Sequence, residues 1–219
     1  MKEMSKEEMV PEIGDPTGSS RVSVAGSCLL ASGVVFLLFT TVAEGLYPNY
    51  SVASDTLSTL GFIGAKTFFL WNSQLFVTGL LLLLGMYILF YKSQFRLGIR
   101  RPSLVGILFL LPGVGAILPS LVPGNITNSL GIFHDVGAFI VFILGGISTV
   151  YSYKLTNASL RYFSLVLGVV SLVMIPVYIA SPHHVAGSIS GTLERLIAYP
   201  YFLWVISFGS YLIGVDTGR

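Results

Sequence analysis

Six long apolar runs separated by polar intervals set the pattern of the chain, at about 22–43, 68–91, 103–122, 130–153, 163–180 and 193–214. A helix needs about 20 mostly apolar residues to cross the hydrocarbon core of a bilayer, and each run has roughly that length. Within them the apolar character is unbroken, as in the five leucines Leu80 to Leu84. A β-barrel strand would alternate polar and apolar positions instead. In lipid a spanning segment must satisfy its own backbone polar groups, so the pattern predicts an all-α, polytopic six-helix membrane bundle. Ahead of the first run, residues 1–21 read as a polar tail with no apolar signal core. A short amphipathic helix over 2–10 is one reading of that tail. Residues 22–214 form the membrane domain and 215–219 a short C-terminal tail.

Charge sharpens this picture. Only 10% of the 219 residues are charged and 53% are hydrophobic, against about a quarter charged in soluble domains. That excludes a soluble enzyme, a disordered protein and a nucleic-acid binder. The net charge of +2 gives no reason for a polyanionic partner. The single cysteine, Cys28, allows neither an intrachain disulfide nor a cysteine metal cluster. Lys and Arg favour cytoplasmic loops. With the N-terminus inside, Lys2, Lys6, Arg21, Lys92, Arg96, Arg100, Arg101, Lys154, Arg161 and Arg219 fall inside, and only Lys66 and Arg195 fall outside. Both termini are then cytoplasmic, and the expectation is a multi-pass protein of the cell membrane, with the lipid bilayer as its first partner. Sequons fit this in part: Asn49 and Asn125 fall outside, Asn157 inside.

The topology gathers the polar chemistry at the outer end: His134, His183, His184, Glu44, Asp55, Asp135, Glu194, Lys66 and Arg195. The outer connections are also the longer ones, and longer loops of mixed polarity carry function more often than plain connectors do. The first is expected to hold a short helix over 54–62, capped by Ser54 or Asp55. The pieces Thr59-Leu-Gly61 and Ser129-Leu-Gly131 echo each other, which suggests related helical hairpins; equally, Pro and Gly simply end helices.

Candidate chemistry follows, each with a plainer alternative. His134, with His183 or His184 and a carboxylate such as Glu44 or Glu194, has ligand types that zinc accepts. Adjacent histidines on a helix point about 100° apart, however, and no HExxH spacing occurs, so hydrogen-bonded interfacial histidines are the alternative. Arg195 either pairs with Asp135, Asp55 or Glu44, or grips a phosphate or carboxylate. Asn72 points into the bundle, where an amide bonds a neighbouring helix or lines a cavity. Ser51, Ser54, Thr56, Ser58 and Thr59 offer hydroxyls, but no GxSxG elbow accompanies them. Pro112 and Pro176 mark kinks, and Gly113, Gly115, Gly145, Gly146 and Gly168 serve close helix packing.

Several pieces occur in a familiar order: Tyr47-Pro-Asn-Tyr-Ser-Val-Ala-Ser-Asp-Thr-Leu-Ser-Thr-Leu-Gly61, Trp71-Asn72, Phe133-His-Asp-Val-Gly-Ala138, Gly191-Thr-Leu-Glu-Arg-Leu-Ile-Ala-Tyr-Pro200 and Trp204. This series resembles the prokaryotic six-helix membrane family known as domain of unknown function 998, over about 22–214. The resemblance implies the same six-span fold and no activity. The residues matching its pattern are Ser54, Asp55, Ser58, Gly61, Asn72, His134, Asp135, Glu194 and Arg195.

The resulting expectation is a polar cavity opening outward, walled by Glu44, Asp55, Asn72, His134, Asp135, Glu194 and Arg195, with Ser54 and Ser58 beside it. It would bind a lipid head group or small polar molecule at the outer leaflet. Arg195 would hold an anionic group, and His134 with Asp135 would handle protons or zinc. Hydrolysis or transfer at a head group, with His134, Asp135 and Glu194 as its catalytic residues, is the enzymatic form of this reading. The rivals are a small transporter, which lacks the usual mid-membrane ionisable group, and a non-catalytic subunit or assembly factor.

Overall fold

The computed structural model describes residues 16–92, 104–156, 158–181 and 188–216. The candidate helix over 2–10, the histidines His183 and His184, and Pro182 lie outside the described residues. Among the described residues, six helices are long and apolar enough to cross a membrane. They are α1 (Pro16–Leu46), α2 (Phe68–Lys92), α3 (Leu104–Leu121), α4 (Ser129–Lys154), α5 (Ala158–Ala180) and α6 (Ser190–Asp216). No strand occurs among the described residues. The chain is an all-α integral membrane protein.

Two boundaries differ from the sequence expectation. Helix α1 already runs from Pro16, the first described residue, ahead of the start expected near residue 22. The helix expected over 54–62 is only a 3-10 turn, Leu57–Gly61. Neither Ser54 nor Asp55 caps it. Thr56 holds the cap position without a side-chain bond, and the Asp55 carboxylate instead accepts the Ser51 amide at 2.8 Å. Ser129–Gly131 is also a 3-10 turn, so the two echoing sequence pieces share one local conformation.

Each helix packs on its chain neighbours, and α6 returns to close against α1. The bundle is thus a ring, with α6 as its most buried member. Over half of its most apolar window, 56%, is buried, against 17% for α5. Its inward face carries Tyr201, Phe202, Trp204, Val205 and Phe208, and Phe202 stacks on Phe36 of α1 with ring centroids 3.7 Å apart.

Lipid offers no hydrophobic drive for one helix to leave it for another, so close van der Waals contact must hold the ring together. Glycines face one another at four of the seams. A Cβ on Gly26 would lie 2.6 Å from the Gly209 carbonyl, and one on Gly209 equally close to the Gly26 carbonyl. Gly79 with Gly113, Gly115 with Gly137, and Gly146 with Gly168 make the corresponding approaches at α2/α3, α3/α4 and α4/α5. Serine hydroxyls add cross-helix bonds, Ser32 to the Thr78 carbonyl and Ser171 to the Ile197 carbonyl.

The two ends of the ring differ in chemistry. At one end Lys92 and Lys154 close α2 and α4, where a cation suits the helix dipole, and Arg21 bonds the Lys92 carbonyl at 3.0 Å. The other end carries the 47–67 connection, the start of α4 and the start of α6. The candidate site lies there.

Candidate functional site

The 47–67 connection folds inward over the bundle end, burying Leu57, Leu60, Gly61 and Thr67. A buried loop must find partners for its backbone polar groups. The first turn of α6 supplies them. The Thr192 amide, one of the helix-start N–H groups without an intrahelical acceptor, donates to the Ala53 carbonyl at 3.0 Å. The Ser190 hydroxyl donates to the Ser54 carbonyl at 2.8 Å. The carboxylate of Glu194 accepts the Leu57 amide. Gly191 is required at this crossing, since a Cβ there would collide with the Asp55 carbonyl.

Arg195 does the most. Its Nη1 donates to the carbonyls of Val52, Asp55 and Gly191 at 3.0, 3.1 and 2.7 Å. Its Nε and Nη2 donate to the same Glu44 oxygen at 3.0 and 2.7 Å, and Nη2 also reaches the Tyr50 hydroxyl at 2.6 Å. A guanidinium has five N–H groups, so every one of them is spent within the protein. Of the three acids open to it by sequence, Glu44 is the ion-pair partner. The pairing has a local cause. Glu44 sits near the C-terminus of α1 and Arg195 near the N-terminus of α6, each at the helix end whose dipole disfavours its charge. Together they offset that cost. Tyr50 passes the connection on, donating to the Asp55 and Thr56 carbonyls at 3.2 and 2.9 Å. Burial pushes its phenol pKa up, against the lowering pull of Arg195, so it stays protonated as that donor.

Asn72 also serves the loop. Its amide nitrogen donates to the Gly61 carbonyl at 3.0 Å and to the Phe68 carbonyl at 2.8 Å, tying the 3-10 turn to α2. Asn125, which sequence reasoning read only as a sequon, accepts the Ile63 amide and donates to the Ile63 carbonyl.

Beneath the loop lies a cavity of about 60 Å³. That is space for roughly four waters or a small group, at about 15 Å³ each. Its walls are apolar: Phe36 from α1, Trp71 and Leu75 from α2, Ala116 and Pro119 from α3, Ala198 and Phe202 from α6. Helix α4 adds Ala138, Val141 and Phe142. The last two sit in a π-helical turn, Ile140–Leu144, and such insertions are often found at functional sites. Three polar groups enter the lining: Ser58 from the loop, His134 from α4 and Glu194 from α6. Glu194 is only 7% exposed. The Ser58 hydroxyl lies 2.9 Å from that of Thr56. The Nδ1 of His134 is 2.9 Å from the Val122 carbonyl. A carbonyl only accepts, so Nδ1 carries a proton and donates it there.

The expected site residues therefore divide. His134, Glu194 and Ser58 share the cavity. Arg195, Glu44, Asp55 and Ser54 belong to the interlock between the loop and α6, the last largely through its backbone. Asn72 secures the 3-10 turn. Asp135 is exposed, and no hydrogen bond joins it to His134 among the described residues. No group of three or more His, Cys, Asp or Glu side chains is placed to hold a metal ion among the described residues. The aromatic walls, Phe36, Trp71 and Phe202, carried no sequence signal beyond their apolarity.

Fold and site define a six-span membrane protein with a loop-capped cavity at one end of the bundle. The chain belongs to the family described as protein of unknown function (DUF998), whose model matches residues 30–211. No curated protein and no solved structure matches it.

Proposed function

We propose that this protein binds a small amphiphile at the loop end of the bundle. The apolar part enters the cavity, and the polar head meets Ser58, His134 and Glu194. One observation carries the reading: a carboxylate-bearing side chain almost entirely out of solvent lines an otherwise apolar cavity. Buried ionisable groups are costly in a membrane and mark functional sites, and pockets with few polar groups on apolar walls are the usual form of ligand sites. The excess of Lys and Arg at the other end supports an outward-facing site in the cell membrane, within reach of outer-leaflet lipid.

Extraction of protein purified in lipid nanodiscs tests this. A copurified amphiphile is expected from the wild type and absent from Ala138→Leu, which fills the cavity, with thermal stability retained. Identical extracts from both proteins would refute the proposal.

A second reading, hydrolysis or transfer at the bound head, rests on His134. Its Nδ1–H is anchored to a backbone carbonyl, the arrangement that leaves Nε2 as a general base.

A further inference from the structure

The polar atoms of the cavity are unequal in kind, and the inequality points to the head group. This step rests on the binding proposed above and adds the sign of the ligand. Glu194 offers a carboxylate, which accepts. Its one hydrogen bond among the described residues is from the Leu57 amide, which carries no net charge. Arg195, adjacent in sequence, is the obvious counter-charge, yet its N–H groups are committed to Glu44, Tyr50 and three carbonyls. The ion pair in this region joins Arg195 to Glu44, not to Glu194. His134 also lines the cavity, but its Nδ1–H is tied to the Val122 carbonyl and its Nε2 lies against Gly124, where an added Cβ would be 2.9 Å away. The Trp71 indole, a donor, holds its Nε1 against Gly61, where an added Cβ would lie 3.1 Å away.

An anionic head would meet the Glu194 carboxylate, with the Arg195 guanidinium already committed elsewhere. An ammonium head would meet the Glu194 carboxylate and the Ser58 hydroxyl oxygen, and would place a hydrogen-bonded positive charge directly against that carboxylate. A buried charge is tolerated when it is paired and hydrogen-bonded. We infer that the cavity selects a primary-amine amphiphile, its ammonium held by Glu194 with the Ser58 hydroxyl beside it and its alkyl chain against Phe36, Trp71 and Phe202. No bond is made or broken in this binding.

Trp71 lines the cavity while Trp204 packs in the core, and these are the two tryptophans of the chain. Bromine quenches indole fluorescence on contact, so three bromoalkyl probes of one chain length separate the possibilities. Nanodisc-embedded protein is titrated near neutral pH with ω-bromohexylamine, ω-bromohexanol and ω-bromohexanoate. Trp71→Phe serves as the background for Trp204. The amine is expected to reach half-quenching at a concentration at least about tenfold below the alcohol or the acid. Glu194→Gln, which still accepts the Leu57 amide, is expected to bring the amine to the level of the alcohol. Preference for the acid, equality of amine and alcohol, or an amine preference surviving Glu194→Gln would overturn the inference while leaving cavity binding in place. Absence of Trp71 quenching by all three probes would overturn the binding proposal itself.

Discussion

Arg195→Ala is the most informative perturbation of the loop-to-helix interlock. It leaves Glu44, whose side chain is 15% exposed, with the Tyr199 hydroxyl at 3.4 Å as its remaining partner. It also strips a donor from the carbonyls of Val52, Asp55 and Gly191. Removing one member of a buried ion pair costs about 3–5 kcal/mol, because the other charge stays behind. For a chain of this size each kcal/mol moves Tm by about 2–4 °C, so a fall of roughly 6–20 °C is expected. The double variant Arg195→Met with Glu44→Leu strands no charge. It still deprives the three carbonyls of a donor, a loss of about 1–3 kcal/mol for an unsatisfied buried group. It should therefore be less destabilised than the sum of its two single variants, by about 2 kcal/mol of coupling. Thermal unfolding in nanodiscs, followed by tryptophan fluorescence, measures the wild type, Arg195→Ala, the double variant and its two single variants. Additive effects, or a fall under about 3 °C for Arg195→Ala, would show that the guanidinium does not hold the loop as described.

Other outcomes follow from the same geometry. Gly209→Val places side-chain atoms into the Gly26 carbonyl and should cost at least about 1–3 kcal/mol by overpacking, whereas Gly45→Ala, with open space around it, should be neutral or gain up to about 1 kcal/mol of helix propensity; paired Tm measurements decide. Asn72→Ala leaves the Gly61 and Phe68 carbonyls without their donor and should cost about 1–3 kcal/mol, visible as a lowered Tm and faster proteolysis within 47–67. Gly191→Ala should loosen the same loop, raising thiol reactivity of a cysteine placed at Val52 in a Cys28→Ser background. In that background, cysteines at the exposed positions Val52 and Leu130 should label from outside intact cells and one at residue 98 should not; the reverse pattern would invert the proposed sidedness.

The spans were legible because lipid imposes a length and an apolarity that no other solvent does. Their count and order follow from the runs alone; of the glycines expected to serve close packing, Gly113, Gly115, Gly146 and Gly168 lie at the α2/α3, α3/α4 and α4/α5 seams, while Gly145 faces Tyr201 of α6. The short helix expected over 54–62 was not legible. Local capping signals at Ser54 and Asp55 lost to tertiary demands: Arg195 draws the carbonyls of 52 and 55 toward α6, and the Asp55 side chain closes a tighter turn on Ser51. Clustering of the polar residues at one end was readable from the alternation of the spans. Their division into an interlock and a cavity was not.

What the sequence settled by itself is the solvent and the architecture, since composition and run length answer directly to the free energy of placing backbone and side chains in hydrocarbon. Choosing Glu44 over Asp55 and Asp135 as the partner of Arg195 needed the fold. So did placing Glu194 beside His134 at one cavity. Helix ends some 150 residues apart in the chain meet only through ring closure of α6 on α1, and no local pattern of residues encodes which side chains that closure brings within hydrogen-bonding distance.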